Sequence, residues 1–143
     1  MRLLVRRVYS ANVEVADSVV GQINEGLVVY IGLEKIDQVG DLEWGSKKVL
    51  GLRIFDDEEG KMNLPIADEM GILVVSQFTL CGNLKKGYRP SFNHAASPST
   101  AISLYEKFLE ILGNSFGGHL QTGKFGAHMK IAMKENGPVT IWL

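Results

Sequence analysis

Residues 71–80 read GILVVSQFTL. Ile72 to Val75 form an unbroken apolar run, the pattern of a strand buried on both faces. The run predicts a core strand through Leu80. Its end is polar, because Ser76, Gln77 and Thr79 follow the run with Phe78 among them. A buried hydroxyl or amide without a partner costs about 1–3 kcal/mol. These groups therefore either cap a strand end or line a site.

Outward from this stretch, LVVYIGL (27–33) repeats the same pattern and reads as a second central strand. Residues 2–9 read as a first strand. Over 12–17, Val13 and Val15 alternate with Asn12 and Glu14 at strand period. SVVGQI (18–23) follows, with Gly21 as a candidate bulge, and Asn24-Glu25-Gly26 reads as a turn. Val39, Leu42, Val49 and Leu50 keep helical spacing and predict a helix over 37–52. RIF (53–55) returns to extended chain and DDEEGKMN (56–63) is a charged turn. A second helix is announced by Ser97 as N-cap and Pro98 at its first position. Its apolar stripe is Ile102, Tyr105, Phe108, Leu109 and Leu112, with Gly113 as its stop. Residues 119–135 supply one or two strands, and VTIWL, introduced by Gly137-Pro138, supplies the last. The expected fold is α/β. It is one compact domain over 1–143, with a mixed or antiparallel, barrel-like sheet and two main helices.

The chain has 143 residues, 45% hydrophobic and 22% charged, enough for a core without disulfides or metals. Its net charge of −1 gives no global field toward nucleic acid, so any such contact needs a local patch. One cysteine, Cys81, excludes an internal disulfide and suits a reducing compartment. Three scattered histidines, His94, His119 and His128, give no metal-ligand spacing. The N-terminus lacks the apolar core of a signal peptide, and no stretch approaches the roughly 20 apolar residues of a membrane span. The cytoplasm is the expected compartment, with no cofactor, no metal and no membrane partner.

Ser76 or Thr79 as a nucleophile would need a base within hydrogen-bond reach, and neither a G-x-S-x-G elbow nor a neighbouring histidine is present. The stretch 81–98 runs 18 residues with little period, a length that is often functional. Within it, Lys85, Lys86 and Arg89 surround Gly87 and Tyr88. They read equally as a phosphate contact with an aromatic neighbour or as a solvated loop. His128 and Cys81 read as structural. Gly137-Pro138 reads as a turn into the last strand.

Several of these stretches, in this order, resemble the D-aminoacyl-tRNA deacylase family over nearly the whole chain. They are SQFTL (76–80), KKGYRPSF (85–92), FGAHM (125–129) and GPVT (137–140). The resemblance implies a homodimer that hydrolyses the ester joining a D-amino acid to the 3′-terminal adenosine of tRNA. It also implies action on glycine mischarged on alanine tRNA. SQFTL of one subunit and GPVT of the other would build one pocket, with Gly137 and Pro138, joined by a cis peptide, screening chirality from the partner. On this likeness Ser76, Gln77, Phe78 and Thr79 form the catalytic stretch. Phe125, Gly126, Ala127, Met129, Val139 and Thr140 bind substrate. In such a protein the phosphate reading of Lys85, Lys86 and Arg89, which rests on their charge and not on the likeness, would be a contact to tRNA phosphate. DNA is not an expected partner.

Two positions depart from the family pattern. Glu135 stands where an asparagine is usual, and His128 where an aspartate is frequent. Two other readings compete with an editing hydrolase. One is a non-catalytic nucleic-acid-binding dimer of the same fold, and the other is a small-molecule esterase using Ser76.

Overall fold

In the computed structural model, which describes residues 1–143, one long strand, β1 (Arg2–Val15), organises the sheet. The two strands expected over 2–9 and 12–17 are a single strand because a partner, β8 (Lys130–Trp142), spans Leu4 to Glu14 along one edge. Along the other edge β1 pairs antiparallel with β3 (Gly26–Gly32) and then with β2 (Ser18–Ile23). The sheet continues from β3 through two parallel neighbours, β6 (Gly71–Ser76) and β7 (His119–Thr122). It curls until β2 meets β7, where a Cβ on Gly21 would stand 2.3 Å from the Thr122 carbonyl oxygen. Gly21 thus permits a close approach; the bulged residue is its neighbour Val20, opposite Val13 and Glu14. A small hairpin, β4 (Phe55–Asp56) and β5 (Met62–Leu64), stands apart. The mixed, nearly closed, barrel-like sheet with two helices is the architecture expected. No helix is long and apolar enough to cross a membrane.

Helices α1 (Val39–Gly51) and α2 (Pro98–Ser115) cover one face of the sheet. There Leu27, Val29, Ile31, Ile72 and Val74 meet Leu42, Val49, Phe108 and Leu112 in the main core. The opposite side chains, Val28, Leu73 and Val75, join Val8, Ala11, Val13 and Ile23 in a second core inside the curl. Burial on both faces explains why these two strands are continuous apolar runs and do not alternate.

The long strands β1 and β8 serve both cores by breaking register. Leu3 and Val5 belong to the main core, whereas Val8, Ala11 and Val13 belong to the second. Between Val8 and Ser10 the pairing slips and leaves Tyr9 over. On β8, Val8 pairs with Glu135 and Arg6 with Thr140, so Asn136–Val139 loop out opposite Arg7 alone. Ile131 and Met133, before the loop-out, pack on the second core. Val139 and Ile141, after it, pack on the main one.

Four local expectations are corrected. The core strand ends at Ser76, and Phe78–Cys81 form a 3₁₀ turn. Gln77 N–H still reaches the Ile31 carbonyl at 2.7 Å, after which the turn folds over Gly32 and buries Cys81. Gly137-Pro138 do not introduce the last strand but interrupt a continuous one. Gly113 does not stop α2, which runs to Ser115 and closes with Phe116 N–H on the Leu112 carbonyl at 2.9 Å. Ile102 lies on the exposed side of the α2 stripe. The cap is as expected: Ser97 Oγ accepts from Thr100 N–H at 3.3 Å, with Pro98 at the first helical position.

From α2, the buried Tyr105 donates to the Val74 carbonyl at 3.1 Å, two residues before Ser76. Burial raises its phenol above the usual 10.0. Because the folded-state value lies above the unfolded one, the associated stability is intact below pH 10 and is lost as pH rises beyond it. The urea midpoint of the wild type should therefore fall more steeply above pH 10 than that of Tyr105→Phe. Superimposable pH profiles would refute the assignment.

Candidate functional site

Three segments meet where β6 ends. The strand delivers Ser76 and Gln77 to the surface, the 3₁₀ turn presents Phe78, and the loop after β7 brings Phe125–Met129. That loop turns through Gly126 at φ +73°, a left-handed conformation that favours glycine, and closes with Ala127 N–H on the Lys124 carbonyl at 3.2 Å. The space between is a mainly apolar cavity of about 510 Å³.

Seven of the expected site residues line it: Ser76, Gln77, Phe78, Phe125, Gly126, Ala127 and Met129. Sequence reasoning missed the fourth wall, Ala95, Ala96, Pro98 and Ala101 at the entrance to α2. A run of small residues directly before and inside a helix start was the available signal. His128, read as structural, also lines the cavity, but no hydrogen bond joins it to Ser76. Ser76 therefore has no histidine base in place.

Thr79 does not line the cavity. Its hydroxyl accepts from Gln77 Nε2, so the two polar groups that follow the strand satisfy each other at the rim. Phe78 and Thr79 begin the 3₁₀ turn, so their N–H groups have no partner within it. Phe125 is steadied by the ring of Tyr105, with centroids 5.5 Å apart, and Phe78 by the edge-to-face ring of Phe92 at 5.0 Å. Arg2 fixes the far end of the turn by donating to the Leu80 carbonyl at 2.9 Å.

Gly137, Pro138, Val139 and Thr140 are not part of this chain's own cavity. Gly137 and Pro138 lie on the loop-out of β8, joined by the expected cis peptide, with Pro138 exposed, while Val139 packs on the main core and Thr140 pairs with Arg6. The loop-out is held at its base by Arg7, one of only two buried polar residues. Arg7 Nε donates to the Asn136 carbonyl at 3.1 Å. Its Nη1 donates to the Ile54 carbonyl at 2.6 Å and to Asp56 Oδ1 at 3.1 Å. Glu135 forms an ion pair with Arg6. The carboxylate that departs from the family pattern thus has a cation of its own. Lys85, Lys86 and Arg89 do not line the cavity; they are exposed on the segment that leaves its rim at Phe78 and returns at Ala95.

The family model for D-Tyr-tRNA(Tyr) deacylase matches residues 4–143. D-aminoacyl-tRNA deacylases of Thermotoga petrophila and Petrotoga mobilis are 51% and 47% identical, over all of this chain and 96% of each relative. A solved structure of a c-Myc DNA Unwinding Element Binding Protein is 38% identical with a TM-score of 0.93, covering 100% of this chain and 97% of that one. A probable eukaryotic D-amino acid tRNA deacylase, 18% identical over 99% of this chain and 97% of its own, shares the fold with a TM-score of 0.83. The chain belongs to the D-Tyr-tRNA(Tyr) deacylase family, and it is a hydrolase of that class.

Proposed function

We propose that this protein clears D-amino acids, and glycine mischarged on alanine tRNA, from the 3′ end of tRNA in the cytoplasm. The catalytic unit is a homodimer in which each cavity is completed by Gly137 and Pro138 of the partner subunit. The observation that carries the reading is a separation. The cavity that holds SQFTL and FGAHM is open, while the Gly-Pro loop of the same chain is displayed outward and away from it. The outer edge of β8 pairs with no other strand, leaving a surface for a second copy.

In this arrangement Phe78, Phe125 and Met129 hold the terminal adenine, with Gly126 and Ala127 beneath it. The N–H groups of Phe78 and Thr79 receive the oxyanion that forms as water adds to the ester carbonyl. Backbone groups of Gly137 and Pro138 stand against Cα, where an L side chain would clash. Val139 and Thr140 fix that loop. Selection by clash needs no reading of the side chain, so many D-residues pass, and glycine, which presents nothing to exclude, passes too. Ser76 serves as a polar wall, since no base activates it.

The test is deacylation of D-tyrosyl-tRNA against L-tyrosyl-tRNA by the wild type and by Ser76→Ala. The wild type should clear only the D-ester, and Ser76→Ala should retain measurable activity. Abolition by Ser76→Ala would favour an esterase using a covalent serine intermediate. Absence of all deacylation, with RNA or DNA binding intact, would favour the non-catalytic alternative. That alternative draws support from the 38%-identical protein whose name records binding to a DNA unwinding element.

A further inference from the structure

Between the 3₁₀ turn and α2 the chain leaves the cavity rim and returns to it. Phe78 lines the cavity at the departure, and Ala95 and Ala96 line it at the return. The two legs are clamped together by reciprocal bonds between Asn83 and Ser91, at 2.8 and 2.9 Å. The return leg is tied to the segment that directly follows β3 by Lys35 N–H on the His94 carbonyl at 3.0 Å and Ala96 N–H on the Leu33 carbonyl at 2.9 Å. Residues 84–90 are therefore a tip carried on a fixed stem beside the cavity mouth.

The tip has an unusual composition for its position. Tyr88 is 103% exposed, so its ring touches nothing in the molecule. Lys85, Lys86 and Arg89 are exposed around it, and none forms an ion pair. A molecule of net charge −1 thus gathers three unneutralised cations within five residues, around a free aromatic face. Alternating positive charge and an open ring match the alternating phosphates and bases of a single strand.

We infer that this tip grips the single-stranded nucleotides just upstream of the terminal adenosine. A base stacks on Tyr88, and Lys85, Lys86 and Arg89 lie along the adjoining phosphates. The inference rests on the deacylase reading, in which the terminal adenosine occupies the cavity and its 5′ neighbours must leave across the rim. The cavity reads the aminoacyl ester, and the tip reads the nucleic acid that carries it.

The experiment compares two substrates, D-tyrosyl-tRNA and D-tyrosyl-adenosine, for the wild type, Tyr88→Ala and the triple variant Lys85→Gln, Lys86→Gln, Arg89→Gln. Tyr88→Ala should lower kcat/KM on the tRNA ester about tenfold, the scale of one lost stacking contact. Its kcat/KM on the adenosine ester should equal that of the wild type. The triple variant should reduce the salt slope of log kcat/KM for the tRNA ester by about 2, roughly 0.7 per lost phosphate contact. Equal losses on both substrates, or no loss on the tRNA ester, would overturn the proposal. Direct binding of a short RNA with the 3′ sequence of tRNA, read by fluorescence anisotropy, separates the two readings. A wild type that hydrolyses neither substrate, yet binds this RNA at least about fivefold tighter than Tyr88→Ala, leaves the tip assigned and removes the deacylase reading. Equal RNA binding by the two proteins removes the tip.

Discussion

Arg7→Met is expected to lower the unfolding free energy by about 3 kcal/mol, because it strips charged hydrogen bonds from the buried Ile54 carbonyl and the part-buried Asn136 carbonyl. The methionine keeps the apolar stem but leaves the Ile54 and Asn136 carbonyls without their donor. The bond to Asp56 adds little, since that side chain is 50% exposed and its charge is screened. On the two-subunit reading the larger effect is on selection. Asn136 immediately precedes Gly137, so releasing its carbonyl frees the loop-out that excludes L side chains. The ratio of D- to L-tyrosyl-tRNA deacylation should fall by about tenfold or more, the scale of a 1 Å misplacement or less, measured at a temperature where the variant is fully folded by circular dichroism. Arg7→Lys should recover part of the stability but little of the ratio, because one ammonium cannot replace a planar fork that bonds in two directions. A folded Arg7→Met protein with wild-type discrimination would show that Arg7 does not position the loop.

Gly26→Ala should be the most damaging small substitution in the chain. Its φ of +155° lies where L residues rarely go, and a Cβ there would stand 1.8 Å from the Gly71 carbonyl oxygen. The clash is with backbone, so relief requires β3 and β6 to part. That is the parallel ladder that carries Ser76 to the cavity. A loss of about 4 kcal/mol or more is expected, in the range reserved for severe steric defects. Gly40→Ala is the control, since nothing lies within 4 Å of the methyl it would add and the site is helical. It should stabilise slightly, by about 0.5–1 kcal/mol. Urea titration of both proteins reads the difference. A Gly26→Ala variant within about 1 kcal/mol of wild type would contradict the geometry.

The elements legible in the sequence were those with a strong local signature. The runs at 27–33 and 71–75 were visible as buried strands because both faces are covered, and α2 was visible from Ser97-Pro98 and its stripe. The early end of β6 was not, because Phe78, Thr79 and Leu80 suit a strand by pattern. The turn is imposed by packing of Cys81 and Leu80 against β3. The continuity of β8 through Gly137-Pro138 was hidden for a related reason. A proline interrupts a ladder only where its N–H would be needed, and in a loop-out it is not. The roles of most cavity residues are legible only through resemblance to a family. The alanine wall at α2 carries no chemical label, and its run of small residues at a helix start is its only trace in the sequence.

The loop-out also acts as a phase converter for the sheet. Four residues stand opposite one, an odd excess, so the side-chain alternation of β8 reverses across it. That reversal lets Ile131 and Met133 enter one core while Val139 and Ile141 enter the other, although all four share one parity in the sequence. The pairs on either side, Glu135 with Val8 and Thr140 with Arg6, hold the two halves of β8 in their opposite phases. The two ends of this segment are therefore fixed by the two cores. Its exposed tip bears no packing role in its own chain and is left to answer to whatever it meets outside.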